Sequence, residues 1–365
     1  MISAIFRFIR SADWLLLISV TILTAFGCAA LYSIGLGKDP QNFLFLQKQS
    51  MFLGISVVVL FIVSVTNYRF FQSTSIALYI VSCLILGAVL IVGQTINGTK
   101  GWFSIAGFGI QPVELAKISL ILVLARYFSR YTRQMRQMRH IVLTGMIAAF
   151  PITLIMLQPD FGSAAVLFAI WAGMIVMSGI PKKYVLSLGL IMVVLMGVAW
   201  FGLFKDYQKQ RILSFLSPTA HQQGSGYNVR QAMIAIGEGQ VFGKGLGQGS
   251  QSHLKFLPET QTDFIFSVLA EEVGLVGLGI IFMFWTLFFY RLSRIMLVCR
   301  DDFAIYSVLG IAIMFIVHVI LNIGGNMGLV PLTGLVLPFM SYGGSALASG
   351  LVAVGIAQSV KIHNS

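Results

Sequence analysis

The sequence predicts an all-α polytopic membrane protein with about ten transmembrane helices, and three observations support this fold class. The 365 residues are 57% hydrophobic and only 10% charged, with a mean hydropathy of +0.89, whereas a soluble domain carries about 25% charged residues. Apolar runs of about 20 residues recur along the chain, the length at which a helix crosses a bilayer. Lys and Arg outnumber Asp and Glu by 24 to 12, and most of the cations lie between the apolar runs, where they set membrane topology.

The apolar runs define ten candidate spans, at residues 14–36, 49–65, 73–93, 113–128, 141–157, 163–179, 184–204, 264–290, 303–323 and 339–360. The run after Arg7 and Arg10 is too long for the apolar region of a signal peptide, so we expect it to remain as the first span. We expect residues 1–365 to form a single integral membrane domain.

The distribution of cations predicts the orientation. An even number of spans puts both termini on one side, and the loops of that side carry most of the cations, including the arginines between residues 130 and 139. The short loops of the other side carry mainly Lys38 and Lys100. Because positively charged loops stay in the cytoplasm, we expect cytoplasmic termini and a long extracellular loop, about residues 205–262, between spans seven and eight.

Four carboxylates lie close together in KFLPETQTDFIFSVLAEE, residues 255–272, at the start of an apolar run. They are Glu259, Asp263, Glu271 and Glu272. In so hydrophobic a chain, these acids either neutralise buried cations or perform proton chemistry at a membrane face. Glu271 lies about 12 Å further along a helix than Asp263, so we expect Glu271 and Glu272 to be structural partners of other polar groups.

Two short motifs contribute further ionisable residues. In QPVELAK, Pro112 suits the first turn of a helix, and Glu114 complements its positive N-terminus. Lys117 follows one turn later; it forms a local ion pair with Glu114, or holds a positive charge for an anionic substrate, or does both. In QPDFGS, Asp160 either caps a helix that starts near Ser163 or belongs to a site at the mouth of two spans.

The long loop contains a polar cluster and a glycine-rich segment. Tyr207, Gln208 and Arg211 form the cluster, and the planar guanidinium of Arg211 suits phosphate oxygens. Glycines alternate at positions 243, 245, 247 and 249, but the segment matches neither a dinucleotide-binding fingerprint nor a P-loop. We therefore expect a tight irregular loop that needs a permissive backbone.

The segment NIGGNMGLVPLTGLVLPFMSYGGSALASG holds Gly, Pro and Asn near the last apolar run. Irregular backbone at membrane depth is tolerated only where it is buried in protein or lines a cavity. We therefore expect broken or re-entrant backbone before the last span.

Together these motifs resemble the SEDS family (shape, elongation, division and sporulation). The resemblance covers essentially the whole chain, through QPVELAKI, QPDFG, DYQKQR, GSGYNVRQAMIAIGEG, FLPETQTDFIF and NMGLVPLTGLVLPFMSYGGS. The wording QSHLKFLPE favours the RodA branch over the FtsW branch. Val113 stands where the family usually has Ser, and HQQGSGY and AIGEGQ also depart from the usual loop motifs.

The resemblance implies a peptidoglycan glycosyltransferase that polymerises lipid II at the outer face of the bacterial plasma membrane during cell elongation and shape maintenance. It places the family's essential aspartate at Asp263, which we hypothesise to be the general base of an inverting transfer, and it implies that Glu114, Lys117 and Arg211 are functionally important. Our further candidates for substrate binding are Asp160, Tyr207, Gln208, Glu259 and Thr262.

The resemblance also implies partners, namely a class B penicillin-binding protein that acts as transpeptidase and the membrane proteins of the elongation complex. The sequence holds no basic stripe with stacking aromatic residues, so we expect no nucleic-acid partner. No motif demands a cofactor or a metal, although the acids at 114, 160, 259 and 263 are of the type that supplies oxygen ligands to a divalent cation.

Three alternatives remain open from the sequence. A flippase for lipid-linked precursors would also need many spans, intramembrane charge and broken helices, although the densest acidic cluster lies at one face instead of the midplane. A division role of the FtsW type would use the same chemistry. A structural scaffold for the elongation machinery would leave the acids of the long loop unexplained.

Overall fold

The computed structural model describes residues 8–37, 40–96, 98–105, 108–132, 137–181, 183–186, 225–249 and 257–364, with a few isolated positions between 189 and 215. Within these ranges the protein is a bundle of helices with one small antiparallel sheet. Most of the seventh predicted span, and the candidates Tyr207, Gln208 and Arg211, lie outside the described residues.

Ten helices are described here in chain order. They are α1 (Trp14–Leu36), α2 (Leu44–Val65), α3 (Tyr68–Val92), α4 (Pro112–Tyr131), α5 (Met138–Leu157), α6 (Phe161–Met177), α7 (Ser225–Glu238), α8 (Ile265–Val298), α9 (Asp302–Asn326) and α10 (Gly344–His363). Each predicted span except the seventh overlaps a helix, and most bounds agree to within five residues; the largest difference is at the eighth span, whose helix ends at Val298, eight residues beyond the predicted end. In the described part of the chain, seven helices (α1, α2, α3, α5, α8, α9 and α10) are long and apolar enough to cross a membrane, and α6 is a shorter apolar helix.

Two features depart from the sequence-based expectation. Strands β1 (Gln94–Ile96), β2 (Thr99–Ile105) and β3 (Phe108–Ile110) form an antiparallel sheet in chain order between α3 and α4, so the all-α prediction is wrong in this segment. The sequence carries a signal for the first hairpin, because an Asn-Gly pair at positions 97–98 is flanked by β-branched and aromatic residues. Helix α7 lies within the stretch that we interpreted only as a loop.

Helix α4 lies in the interior of the bundle, where it packs against α3 and α9. Nearly every residue from Pro112 to Ala125 is buried, including the charged Glu114 and Lys117. A helix that is buried on all sides needs no lipid-facing apolar surface. Of its four charged residues, Glu114 and Lys117 are buried as a pair, whereas Arg126 is half-buried and Arg130 is exposed near the C-terminal end.

Helix α8 is interrupted at Gly274, whose φ of 63° and ψ of −169° lie in a region that essentially only glycine occupies. The glycine-rich segment 239–247 supplies hydrogen bonds at this break. The amides of Lys244 and Gly245 donate to the carbonyls of Glu271 and Glu272 at 3.0 Å each. Because Gly243, Gly245 and Gly247 all have positive φ, the prediction of a tight loop with permissive backbone is confirmed.

The same break accommodates the two acids that we expected to be structural. Lys244 Nζ lies 3.2 Å from Glu271 Oε1 and also donates to Glu238. Ser33 of α1 donates from its hydroxyl to Glu272 Oε1. Both Glu271 and Glu272 are buried, and neither lines the cavity described below.

Residues 327–343 between α9 and α10 form no helix, and we call them the re-entrant segment. Phe339 anchors this segment: its ring is buried, with its centroid 5.1 Å from that of Phe315, 5.7 Å from that of Phe288 and 5.8 Å from that of Trp285. Gln49 of α2 holds its far end, donating to the carbonyl of Ser341 and accepting from the amide of Gly343, at 3.1 Å each. The expected irregular backbone is therefore present, and it lines a cavity.

Candidate active site

The N-terminal ends of six helices contribute to one cavity of about 800 Å³. These helices are α2, α4, α6, α7, α8 and α10, and the cavity is completed by the sheet, the re-entrant segment and the middle of α9. Its polar and charged lining within the described residues comprises Lys48, Thr99, Gln111, Glu114, Asp160, Ser163, Asn228, Glu259, Gln261, Thr262, Asp263, His318, Thr333, Tyr342 and Ser345. Five of the nine predicted site residues (Glu114, Asp160, Glu259, Thr262 and Asp263) therefore share one cavity, although they come from three separate segments of sequence.

Asp263 lies just before the first turn of α8, and its backbone is fixed by α9. The side-chain amides of Asn322 and Asn326, one turn apart on α9, donate to the Asp263 carbonyl at 3.2 and 2.8 Å. Ser341 of the re-entrant segment donates from its hydroxyl to the neighbouring Thr262 carbonyl at 2.7 Å. Two elements remote in sequence thus position the half-buried Asp263 at the cavity wall.

Glu259 precedes Asp263 in a tight turn. Its φ is 50°, a left-handed conformation that is uncommon for a residue with a side chain. Its Oε2 accepts from Gln261 Nε2 at 3.1 Å and from Thr262 Oγ1 at 3.3 Å. These bonds orient the exposed Glu259 carboxylate and the Thr262 hydroxyl on the same side of the cavity.

Glu114 and Lys117 form the ion pair that their spacing predicted, with Lys117 Nζ 2.8 Å from Glu114 Oε1. Ser349 of α10 donates to the other oxygen, Glu114 Oε2, at 2.6 Å. Lys117 Nζ also lies 3.0 Å from His318 Nε2. Only 1% of Lys117 is exposed, and it lies behind Glu114, outside the cavity lining. Of these two charged side chains, only Glu114 lines the cavity.

Asp160 caps α6, as one of its two interpretations predicted. Its Oδ1 accepts from the Ser163 amide at 3.0 Å and its Oδ2 from the Ser163 hydroxyl at 2.7 Å. Gln111 Nε2, at the start of α4, lies 3.3 Å from the same Oδ2. Burial raises the pKa of the Asp160 carboxyl, and the bonds from Ser163 oppose that rise. Asp160 is thus both a helix cap and part of the cavity wall.

Sequence reasoning missed several residues of this cavity. Lys48 lines the cavity from the first turns of α2. The predicted span begins one residue later, at 49, so Lys48 was not considered. A cation beside an apolar run is nevertheless a sequence signal for a functional residue. His318 carries a comparable signal, as an ionisable residue inside an apolar span. Trp102 lies on β2, and no sequence pattern placed that strand above the cavity. Within the described ranges, no group of three or more His, Cys, Asp or Glu side chains is arranged to hold a metal ion.

Known proteins resemble this chain along nearly its whole length. A family model for FtsW, RodA and SpoVE, described as cell cycle protein, matches residues 13–365. The chain is 35% identical over 361 residues to stage V sporulation protein E of Bacillus subtilis (strain 168), covering 97% of this chain and 98% of that protein. It is 30% identical to peptidoglycan glycosyltransferase RodA of Treponema pallidum (strain Nichols), with coverages of 97% and 98%. Other relatives carry the name FtsW.

The fold agrees with these relatives. A chain from a solved peptidoglycan synthase complex, described as coordinating polymerization and crosslinking, is similar with a TM-score of 0.80 and 30% identity. That similarity covers 96% of this chain and 98% of that chain. Together with the seven apolar helices, the similarity identifies a multi-pass membrane protein. The chain therefore belongs to the FtsW/RodA/SpoVE family, the SEDS family of integral membrane proteins.

Proposed function

We propose that the protein is a peptidoglycan glycosyltransferase that polymerises lipid II into glycan strands, with Asp263 as the general base. The observation that carries this proposal is the cavity in which Asp263, Glu259, Glu114 and Asp160 are brought together. Relatives named peptidoglycan glycosyltransferase match nearly the whole chain, which supports the reaction class. A pocket of about 800 Å³ has the size of a small-molecule site.

In the proposed step, the Asp263 carboxylate takes the proton from the 4-hydroxyl of the acceptor GlcNAc. The hydroxyl oxygen forms a bond to the anomeric carbon of the donor MurNAc, and the bond from that carbon to undecaprenyl pyrophosphate breaks. Attack and departure occur on opposite faces, so the configuration inverts. The donor is already activated, so one proton transfer, which typically contributes about 10²–10⁴-fold, is the chemistry required of the protein.

The leaving pyrophosphate requires positive potential at the cavity. The N-terminal ends of helices lie at its wall, and the positive end of a helix dipole favours anions. Lys48 is the one Lys or Arg among the described lining residues. Lys117 is fully buried and does not line the cavity, so its role is to balance the charge of Glu114. Arg211 lies outside the described residues and keeps its proposed role as a phosphate clamp.

The proposed topology has ten spans, cytoplasmic termini and the cavity on the extracytoplasmic face of the bacterial plasma membrane. The cavity is formed at the N-terminal ends of alternate spans, so it opens toward one face. Arg130, Arg291 and Arg294 lie near the other ends of their helices, and Arg300 lies between α8 and α9 at that same end, as cytoplasmic cations would. Single cysteines at the exposed Ile96 and the exposed Arg300 test this topology in a variant whose three native cysteines are replaced by serine. An impermeant thiol reagent applied to intact cells should label only the first.

Asp263→Asn in purified protein, supplied with lipid II and a class B penicillin-binding protein, tests the general base. We expect polymer formation to fall by about 10²–10⁴-fold while the variant keeps the elution profile and unfolding temperature of the wild type. Asp302→Asn is the matched control, since the exposed Asp302 contacts Thr132 and does not line the cavity. Polymer formed at the wild-type rate by folded Asp263→Asn would contradict the proposal.

The flippase hypothesis makes a different prediction in the same assay. A transporter without covalent chemistry forms no glycan polymer even when lipid II is supplied in detergent, where no leaflet has to be crossed. The elongation role of the RodA type is also a proposal, and it rests on the QSHLKFLPE wording. It predicts that depletion in cells causes loss of rod shape, whereas a division role of the FtsW type predicts filaments.

A crosslinking partner is proposed on the same basis. The similar chain of known structure comes from a peptidoglycan synthase complex, which supports association with a class B penicillin-binding protein and, beyond it, with the elongation-complex membrane proteins. Co-purification of the tagged protein with its penicillin-binding protein, compared at matched expression with an unrelated polytopic membrane protein, is the direct measurement.

A further inference from the structure

We infer that His318 is a positioning residue of the active site. It holds the Lys117 ammonium against Glu114 and ties this ion pair to the re-entrant segment. The inference rests on the proposed function, because the cavity that Glu114 lines is taken to be the site of polymerisation. His318 itself lies in the middle of α9, and no motif in the sequence marks it as part of that cavity.

The hydrogen-bond partners fix which nitrogen of His318 carries the proton. His318 Nδ1 lies 3.3 Å from the Val336 carbonyl, which can only accept, so Nδ1 carries the hydrogen. The Lys117 ammonium can only donate, so His318 Nε2, at 3.0 Å from Lys117 Nζ, accepts and carries no hydrogen. In this tautomer the imidazole is neutral and adds no charge beside the Glu114–Lys117 pair.

Because Lys117 and His318 are both buried, the hydrogen bond between them matters for the position of the ammonium. Lys117 is 1% exposed and His318 is 4% exposed, so in the folded wild-type protein the ammonium is held by protein groups and is shielded from bulk water. The lysine side chain is flexible, and an ammonium with one acceptor is held less well than an ammonium with two. Glu114 is satisfied by Lys117 on one oxygen and by Ser349 on the other. Movement of Lys117 would therefore remove one of the two partners that hold the Glu114 carboxylate at the cavity wall.

His318 also connects three parts of the cavity wall. Its two ring nitrogens join α4, through Lys117, to the re-entrant segment, through Val336. Val336 and Glu114 both line the cavity. A side chain that can only fill space would preserve the packing of α9 and lose both connections. A side-chain amide long enough to reach both Lys117 and Val336 would preserve both connections.

The experiment compares His318→Gln with His318→Leu in the full-length protein with its penicillin-binding protein partner, measuring kcat and KM for lipid II. Glutamine can accept from Lys117 and donate to Val336, so we expect its kcat to stay within about threefold of the wild type. Leucine makes neither bond, and we expect kcat to fall by up to about a hundredfold, the effect of misplacing an active-site group by about 1 Å.

His140 provides a matched control. It is also 4% exposed, and its Nδ1 bonds the hydroxyl of Tyr127 at 2.7 Å, but it does not line the cavity. His140→Leu removes a buried imidazole and should lower the unfolding temperature without lowering kcat. If His318→Leu does not fold, His318→Asn replaces it, because the shorter amide fits the space but cannot reach both Lys117 and Val336.

A second measurement does not depend on activity. Labelling of Lys117 by an amine-specific reagent, read by mass spectrometry of the folded protein, should rise several-fold in His318→Leu and stay at the wild-type level in His318→Gln. Wild-type kcat and wild-type labelling in His318→Leu would overturn the inference, as would a loss in His318→Gln equal to that in His318→Leu. A wild-type protein that forms no polymer overturns the proposed function instead, and the labelling comparison then still decides the role of His318.

Discussion

The side-chain amide of Asn326 donates to the backbone carbonyl of Asp263 at 2.8 Å. The same amide donates to the Asn322 carbonyl at 2.8 Å, and Asn326 Oδ1 accepts from the Ser267 hydroxyl at 2.7 Å. Asn326 is completely buried. It therefore joins the end of α9 to the start of α8 and fixes the backbone on which the proposed base is carried.

Asn326→Leu is expected to impair polymerisation although Asp263 itself is unchanged. Leucine has a similar size but removes one of the two donors to the Asp263 carbonyl and leaves the buried Ser267 hydroxyl without its acceptor, at a cost of about 1–3 kcal/mol in the free energy of unfolding. Because the carboxylate then loses its fixed position, we expect kcat to fall about tenfold or more. Met327→Leu, at the exposed neighbouring position, is the control for both measurements. A folded Asn326→Leu with wild-type kcat would show that α9 does not position Asp263.

Gln49→Leu is expected to loosen the re-entrant segment. Gln49 is buried and bridges the Ser341 carbonyl and the Gly343 amide, so its loss leaves two backbone groups unsatisfied at about 1–3 kcal/mol. We expect faster hydrogen exchange in residues 337–343 and a raised KM for lipid II. Gln47→Leu, two residues earlier and exposed, should change neither quantity. Unchanged exchange in Gln49→Leu would refute the bridging role.

Gly274→Ala is expected to destabilise the break in α8. Its φ and ψ are essentially restricted to glycine, and a Cβ there would overlap the backbone of Val241, Phe242 and Gly243. Strain of this kind costs about 1–3 kcal/mol before the overlap is counted. Gly279→Ala on the same helix meets no atom within 4 Å and should leave the unfolding temperature unchanged. Equal unfolding temperatures for the two variants would argue against a rigid contact at Gly274.

Arg291→Met is expected to destabilise the end of the bundle opposite the cavity. The guanidinium of Arg291 donates to both carboxylate oxygens of Asp13 at 2.6–3.0 Å, and Asp13 is 3% exposed. Removing the cation leaves a buried charge, at about 2–3 kcal/mol once the partial exposure of Arg291 is allowed for. The unfolding temperature of Arg291→Lys should lie between those of the wild type and Arg291→Met, because an ammonium keeps the charge but cannot form the forked contact. Arg294→Met, exposed and one turn later, should be neutral in thermal unfolding measured in detergent.

Much of the helical framework follows from the sequence. Apolar runs of spanning length mark the helices because a bilayer admits few other backbone arrangements, and local pairs such as Glu114 with Lys117 depend only on helical spacing. The cap at Asp160 and the permissive loop of Gly243, Gly245 and Gly247 are local in the same way. Each of these features is decided within a few residues, so a pattern in the sequence is sufficient to predict it.

The composition of the cavity depends on the tertiary structure. Lys48 and His318 carry no motif of their own. Lys48 lines the cavity because helices distant in sequence begin at the same place, and His318 lines it because the middle of α9 passes beside it. Gln49 supports the cavity indirectly, by bonding the re-entrant segment. The short sheet was missed because its strands are brief and lie between strongly apolar spans. Helix α7 was missed because the stretch that contains it is glycine-rich and polar, which is typical of a loop.

The sequence by itself determined the family, the membrane class and the set of acids from which the base is proposed, because these depend on residue type and order along the chain. Only the tertiary structure decided that Lys117 lies behind Glu114 and that Asn326 and Ser341 fix the backbone around Asp263. These relationships depend on how α4, α8, α9 and the re-entrant segment pack, and side-chain distances between remote segments are not encoded in any local pattern.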